Sequence, residues 1–312
     1  MRNWRIYNNY MELNYKQHIM KRNRHEDTDP QNNDATFSIL GINYLQSREF
    51  KKAIASFQEA IKLNPNNDEH FCNLGRAYAN LGQYQEVIAS LQEATKLNST
   101  NAMHFGNLGM AHAKLGQHQE AIAAYKKAIK LNPNNAMYLG NLGVANAKLG
   151  QYQEAIAAYK ESIKVNPNNA GYFSNLGVAN AKLGQYQDSI AAFKEAIKLN
   201  PNNAGYFSNL GMAHTKLGQY KEAIAAYKEA IKVNPNSDDY FCNLAQAHDK
   251  LGQYQEAIAA YKEVIKFNPT SDVGFDILGM AHDTLGQYKE AIAAYQLLPA
   301  QAGSLVNACK AD

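Results

Sequence analysis

The string LGQYQEAIAAYK begins at Leu149 and again at Leu251, and near copies begin at Leu81, Leu115, Leu183, Leu217 and Leu285. Successive starts are 34 residues apart. A fixed period of this length constrains the fold more than any other feature. One such unit is a single supersecondary element that cannot bury its apolar faces alone, so neighbours must stack into a continuous core. Extending the frame gives eight units: 34–67, 68–101, 102–135, 136–169, 170–203, 204–237, 238–271 and 272–305. Residues 1–33 form an N-terminal arm and residues 306–312 a C-terminal tail.

Each unit reads as helix, tight turn, helix. In the unit at Ala170, Phe173, Leu176, Gly177 and Asn180 recur at spacings of three and four, which is one helical face. Gly184 ends that helix, because glycine tolerates the left-handed backbone of a C-cap. Asp188 lies in the first turn of the second helix and Lys198 in its last, matching the helix dipole. Ile190, Phe193, Ala196 and Ile197 make its buried face. Asn200-Pro201-Asn202-Asn203 then stops the chain, since proline cannot continue the ladder. Pro65, Pro133, Pro167, Pro201, Pro235 and Pro269 hold the same place in their units.

The pattern resembles the tetratricopeptide repeat family. Its signature is a large residue at unit position 4, Leu at 7, Gly or Ala at 8, an aromatic at 11, Ala at 20, an aromatic at 24, Ala at 27 and Pro at 32. The first unit matches with Phe37, Leu40, Gly41, Tyr44, Ala53, Phe57, Ala60 and Pro65. The resemblance implies an all-α solenoid, a right-handed superhelix with the first helices lining its concave side. Gly at 8 and Ala at 20 let the two helices of a unit approach closely, and the aromatics at 4, 17 and 24 fill the gaps between units. Position 11 departs from the signature: it is His in His112, His214, His248 and His282, and Asn in Asn146 and Asn180. Pro299 arrives early in the eighth unit and shortens the last helix, leaving a weakly capped end through which copies can self-associate.

In the repeat frame, positions 2, 5, 6, 9, 12 and 13 face the concave groove. Position 6 is Asn in six consecutive units: Asn73, Asn107, Asn141, Asn175, Asn209 and Asn243, with Ile39 and Ile277 flanking them. An Asn amide both donates and accepts, so it pairs with a peptide's N–H and C=O whatever the peptide's sequence. The row is similar to the asparagine ladder in the repeat domain of O-linked N-acetylglucosamine transferase, and to groove asparagines of peroxisomal targeting receptors. The alternative is a merely polar position copied along duplicated units. Position 13 is Lys in Lys114, Lys148, Lys182, Lys216 and Lys250. Asp239, Asp249, Asp276 and Asp283 make the last two units acidic. A partner would then be held in one direction, unless these charges are only a solvated rim.

Chaperone-binding members clamp two carboxylates with Lys at positions 2 and 5. Here position 5 is Ser, Cys, Gly or Asp, so acidic chaperone tails are not expected. Apolar residues at position 9 (Met110, Val144, Val178, Met212 and Met280) point instead to a partner with some hydrophobic side chains.

Composition limits the other classes. The net charge is +3, and residues 1–33 carry six basic and four acidic residues of the total. The remaining 25 basic and 24 acidic residues nearly cancel, so nucleic acid is not an expected partner. Cys72, Cys242 and Cys309 are too scattered for a disulfide framework, and a reducing, cytoplasmic setting is expected. Delivery into a host cell is a further destination if the source is an intracellular bacterium. No stretch reaches the roughly 18 apolar residues of a membrane span. No phosphate loop, nucleophile elbow or zinc-protease motif occurs, so neither an enzyme nor a cofactor is expected. His214, His248 and His282 recur one unit apart, about 10 Å for packed helices, which is too far to share one metal at about 2 Å per bond.

In the N-terminal arm, Trp4, Tyr7, Met11, Tyr15 and Ile19 make a helical stripe that caps the first unit or, with Arg2, Arg5 and Lys16, touches a partner or membrane surface. The expected function is a non-enzymatic scaffold that binds an extended peptide or protein segment in the groove. The alternatives are a self-associating structural protein, or a substrate-recruiting arm for a separate glycosyltransferase.

Overall fold

The computed structural model describes residues 33–267 and, beyond them, positions 278, 279, 282, 286, 287, 290, 291, 293 and 294. The N-terminal stripe, Pro269, Asp276, Ile277, Met280, Asp283, Pro299 and the C-terminal tail lie outside the described residues. The chain divides into two units, Met1–Gly116 and Gln117–Asp312. The first contains α1 (Asp34–Gln46), α2 (Phe50–Leu63), α3 (Asp68–Asn80), α4 (Tyr84–Leu97) and α5 (Ala102–Lys114). The second contains α6 (His118–Leu131), α7 (Ala136–Lys148), α8 (Tyr152–Val165), α9 (Ala170–Lys182), α10 (Tyr186–Leu199), α11 (Ala204–Lys216), α12 (Tyr220–Val233), α13 (Asp238–Lys250) and α14 (Tyr254–Phe267). Among the described residues there is no strand, and the fold is an all-α solenoid of stacked helix pairs.

Local sequence sets where each helix starts and stops. The first helices from α1 to α11 begin behind an Asn, and α13 behind Ser237 without a side-chain cap: Asn169 Oδ1 accepts the Gly171 N–H at 2.9 Å, and Asn203 Oδ1 the Gly205 N–H at 3.0 Å. They end in a Schellman turn. On α9 the Gln185 N–H donates to the Asn180 carbonyl at 2.9 Å and the Gly184 N–H to that of Ala181 at 3.1 Å. Gly184 has φ +75°, as its place in the sequence requires. The first repeat has Arg48 at this place, with φ +62°. Second helices from α4 onward carry an acidic first turn and a basic last turn, Asp188 and Lys198 on α10.

Packing is sequential within each unit. In the first, α1 packs on α2, α2 on α3, α3 on α4 and α4 on α5. In the second, the same chain of contacts runs from α6 to α14, and α7, α9, α11 and α13 also touch one another in order. The glycine at position 8 permits the close pairing inside a repeat. A methyl group on Gly177 would lie 2.8 Å from Phe193 Cε1, and one on Gly211 would lie 2.6 Å from Tyr227 Cε1. The position-24 aromatic therefore fills space within its own repeat as well as between repeats. Tyr159, for instance, also clusters with Leu176 and Ala179 of the next one. Ala53, Ala121, Ala155, Ala223 and Ala257, all at position 20, are fully buried.

Candidate functional site

Asn caps set the starts of the first helices from α1 to α11, and α13 begins at the same repeat position behind Ser237. Leu176, Gly177, Ala179 and Asn180 of α9 point into the core. Residues at positions 6, 9 and 13 fall on the opposite side, because spacings of three and seven share one helical face.

The two units present this face differently. In the first, Asn73 and Asn107 are only 3% and 7% exposed. Asn107 Nδ2 donates to Cys72 Sγ at 3.9 Å, a long contact to a weak acceptor that joins α5 to α3. Burial pushes the Cys72 thiol up to about 12. Met110 is half-buried, and Lys114 is exposed at the end of α5.

In the second unit, Asn141, Asn175, Asn209 and Asn243 are partly exposed. Beside them Val144, Val178 and Met212 are 39%, 40% and 44% exposed. Lys148, Lys182, Lys216 and Lys250 are exposed at the helix ends. The face is bordered by tyrosines that the sequence reading passed over. Tyr172 at position 3 packs against Gly140 of the preceding repeat, where a methyl group would lie 2.5 Å from Tyr172 Cε1. Burial raises the Tyr172 phenol, and a hydrogen bond with Asn169 partly offsets the rise. Position 5 is thus partly a packing position: Gly140 and Ser208 are buried. Cys242, at the same position in α13, is half-buried, and its thiol is raised by burial and by the nearby Asp239.

Position 11 behaves as a core position. His214 and His248 are buried, and each Nδ1 lies 2.7 Å from the Oε1 of Gln219 and Gln253 respectively. His282 makes the same 2.7 Å contact with Gln287. The amide oxygen accepts, so Nδ1 carries the proton.

A second histidine set is confined to the first unit and was not anticipated. His70 Nε2 lies 2.9 Å from Asp34 Oδ2, and His104 Nε2 lies 2.6 Å from Asp68 Oδ2. Each carboxylate also accepts an Asn amide, Asn64 at 2.8 Å and Asn98 at 3.0 Å. Burial pushes both carboxyls up, but the hydrogen bonds from histidine and asparagine outweigh it and hold them below the usual carboxylate range. The signal was present as Asp at position 1 followed by His 36 residues later.

Among the described residues, no helix is long and apolar enough to cross a membrane, and no three His, Cys, Asp or Glu side chains gather as a metal cluster.

Family models described as TPR repeat or tetratricopeptide repeat match residues 43–82, 147–184, 181–218 and 211–252, 106–164, 239–271, and 71–101 and 276–298. Among solved structures, a MamA protein is 28% identical with a TM-score of 0.52, over 55% of this chain and 94% of that one. The C-terminal part of a TPR repeat-containing protein from Cytophaga hutchinsonii is 20% identical with a TM-score of 0.66, over 76% of this chain and 97% of that one. YrrB, described as a TPR protein with an unusual peptide-binding site, is 21% identical with a TM-score of 0.53, over 59% of this chain and 95% of that one. Comparison with the curated proteins gives no match.

Proposed function

This chain belongs to the tetratricopeptide repeat family, and on that footing we propose that it is a non-enzymatic protein-interaction scaffold whose first-helix face holds an extended peptide segment. The observation that carries this reading is the fourfold recurrence of a partly exposed Asn on α7, α9, α11 and α13. Each is an amide that donates and accepts at once, so each pairs with a peptide backbone independently of its sequence. Lys148, Lys182, Lys216 and Lys250 lie on the same helical side, seven residues further on. YrrB supplies a precedent within this fold for peptide as the ligand. Asn73, Asn107 and Lys114 belong to the same proposal by repeat position. The reading rests on the second unit, because Asn73 and Asn107 are buried.

The test is selection from a displayed random-peptide library on the full chain, followed by affinity measurement on the Asn141→Ala/Asn175→Ala double variant. Losing two backbone-pairing amides, at about 0.5–1.5 kcal/mol each, lowers the affinity of selected peptides about tenfold while far-ultraviolet circular dichroism stays unchanged. Equal affinity in the two proteins would overturn the reading.

A further inference from the structure

On α7, α9, α11 and α13 the same three positions recur: Asn141, Val144 and Lys148; Asn175, Val178 and Lys182; Asn209, Met212 and Lys216; Asn243, Gln246 and Lys250. With a rise of about 1.5 Å per residue, the Asn and the Lys of each set stand about 10 Å apart along the helix axis, with an exposed apolar residue between them on α7, α9 and α11 and Gln246 between them on α13. The face is therefore a band with amides on one side, an apolar strip in the middle and ammonium groups on the other.

These lysines differ from those that end the second helices α8, α10 and α12. At those ends the Lys has a carboxylate three residues earlier: Lys164 with Glu161 at 2.5 Å, Lys198 with Glu195 at 3.7 Å, and Lys232 with Glu229 at 3.3 Å. Among the described residues, Lys148, Lys182, Lys216 and Lys250 make no ion pair. The helix dipole favours a basic residue in a last turn, and among the described residues each exposed ammonium keeps its outward hydrogens free of protein carboxylates.

The spacing along the band adds a second constraint. Successive first helices touch directly, as Gly140 and Tyr172 do, and helices in such contact lie about 8–10 Å apart. A polyproline II strand advances about 3.1 Å per residue and completes a turn in three residues, about 9.3 Å. One turn of that strand thus matches one repeat, and every third side chain meets the same environment. A β-strand cannot do this. Three residues of it also cover about 10 Å, but its side chains alternate, so successive repeats would meet opposite sides. The polyproline II backbone also has no internal hydrogen bonds, leaving its N–H and C=O groups open to the Asn amides.

We propose that the first-helix face of the second unit takes an acidic polyproline II segment with a three-residue sequence period, placing one apolar side chain per turn on Val144, Val178 and Met212 and one carboxylate per turn at the lysine row. This rests on the groove reading above and narrows its partner from any extended peptide to one pattern.

The experiment is fluorescence anisotropy on the full chain with three labelled 12-residue peptides. The first is Leu-Pro-Glu repeated four times, the second has the same composition without the three-residue period, and the third has Lys in place of Glu. The periodic acidic peptide binds about tenfold tighter than either of the others. The Lys182→Ala/Lys216→Ala variant, with unchanged helicity, weakens that binding about threefold to tenfold and flattens its salt dependence. Equal binding of the two acidic peptides overturns the period, equal binding of the lysine peptide overturns the charge, and no binding of the periodic acidic peptide overturns both. If library-selected peptides bind through Asn141 and Asn175 but lack the acidic three-residue pattern, this inference fails while the groove reading stands. If the selected peptides ignore those two asparagines, the groove reading fails as well.

Discussion

His104 Nε2 lies 2.6 Å from Asp68 Oδ2, and the two residues belong to successive repeats. The imidazole is fully buried. Removing the carboxylate takes away the shorter of the two contacts of a buried nitrogen, leaving the Asn101 amide at 3.1 Å, and loss of a buried polar group's partner costs about 1–3 kcal/mol. Asp68→Ala should therefore weaken the joint between α3 and α5. Hydrogen exchange resolved to individual helices checks this, with faster exchange in α3 and α5 than in the wild type. Asp238→Ala removes the same repeat position without a histidine opposite and should leave its surroundings nearly unchanged.

The same pairs set an acid limit. The Asp34 and Asp68 carboxyls are held below their ordinary values in the folded chain. A group whose folded pKa is depressed favours the folded state above its unfolded value, about 3.9, and loses that contribution as pH falls through the folded pKa. Stability of the first unit should accordingly drop from about pH 4 downward. The Asp34→Asn/Asp68→Asn variant should be less stable at neutral pH and show a shallower acid slope. Urea titrations at stepped pH, followed by hydrogen exchange in α3, check the difference in slope.

Two glycines of one repeat should fail for different reasons. Gly177→Ala drives a methyl group to 2.8 Å from the Phe193 ring. Overpacking of this kind costs about 1–3 kcal/mol, and Phe193→Leu in the same chain should recover part of it. Gly184→Ala meets nothing within 4 Å, yet its φ of +75° costs a residue with a Cβ about 1–2 kcal/mol. No change at Phe193 should relieve that loss. The converse change, Arg48→Gly, removes the same strain from the first repeat and should raise its stability by about 1 kcal/mol or less. Thermal melts of the single and double variants separate the two causes.

Much of the fold was legible because its signals are local. Gly184 needs a left-handed backbone, Pro201 cannot continue a helix and Asn169 caps the next one, whatever surrounds them. The burial of His214 and His248 is legible too, because position 11 lies on the helical face that carries Leu176, Gly177 and Asn180 in α9. The candidate site was less legible. Asn73 and Asn175 share a residue type and a repeat position, but one is buried and the other partly exposed. The residue type at that position does not distinguish them, and exposure depends on how neighbouring repeats pack around it. The Asp34–His70 pair escaped notice for the same reason. Its members lie 36 residues apart, and neither departs from what a solvated helix start would carry.

The histidine–aspartate joints have a further consequence for a chain built of near copies. Interior repeats are almost interchangeable, so a helix pair that docks one place too far along meets an apolar surface nearly identical to its own. Asp at position 1 with His 36 residues later occurs only at Asp34–His70 and Asp68–His104. A stack that slips by one repeat leaves at least one of these side chains facing the wrong residue. The two joints mark one end of the array, where the matched stack keeps both buried pairs and a slipped one loses at least one of them.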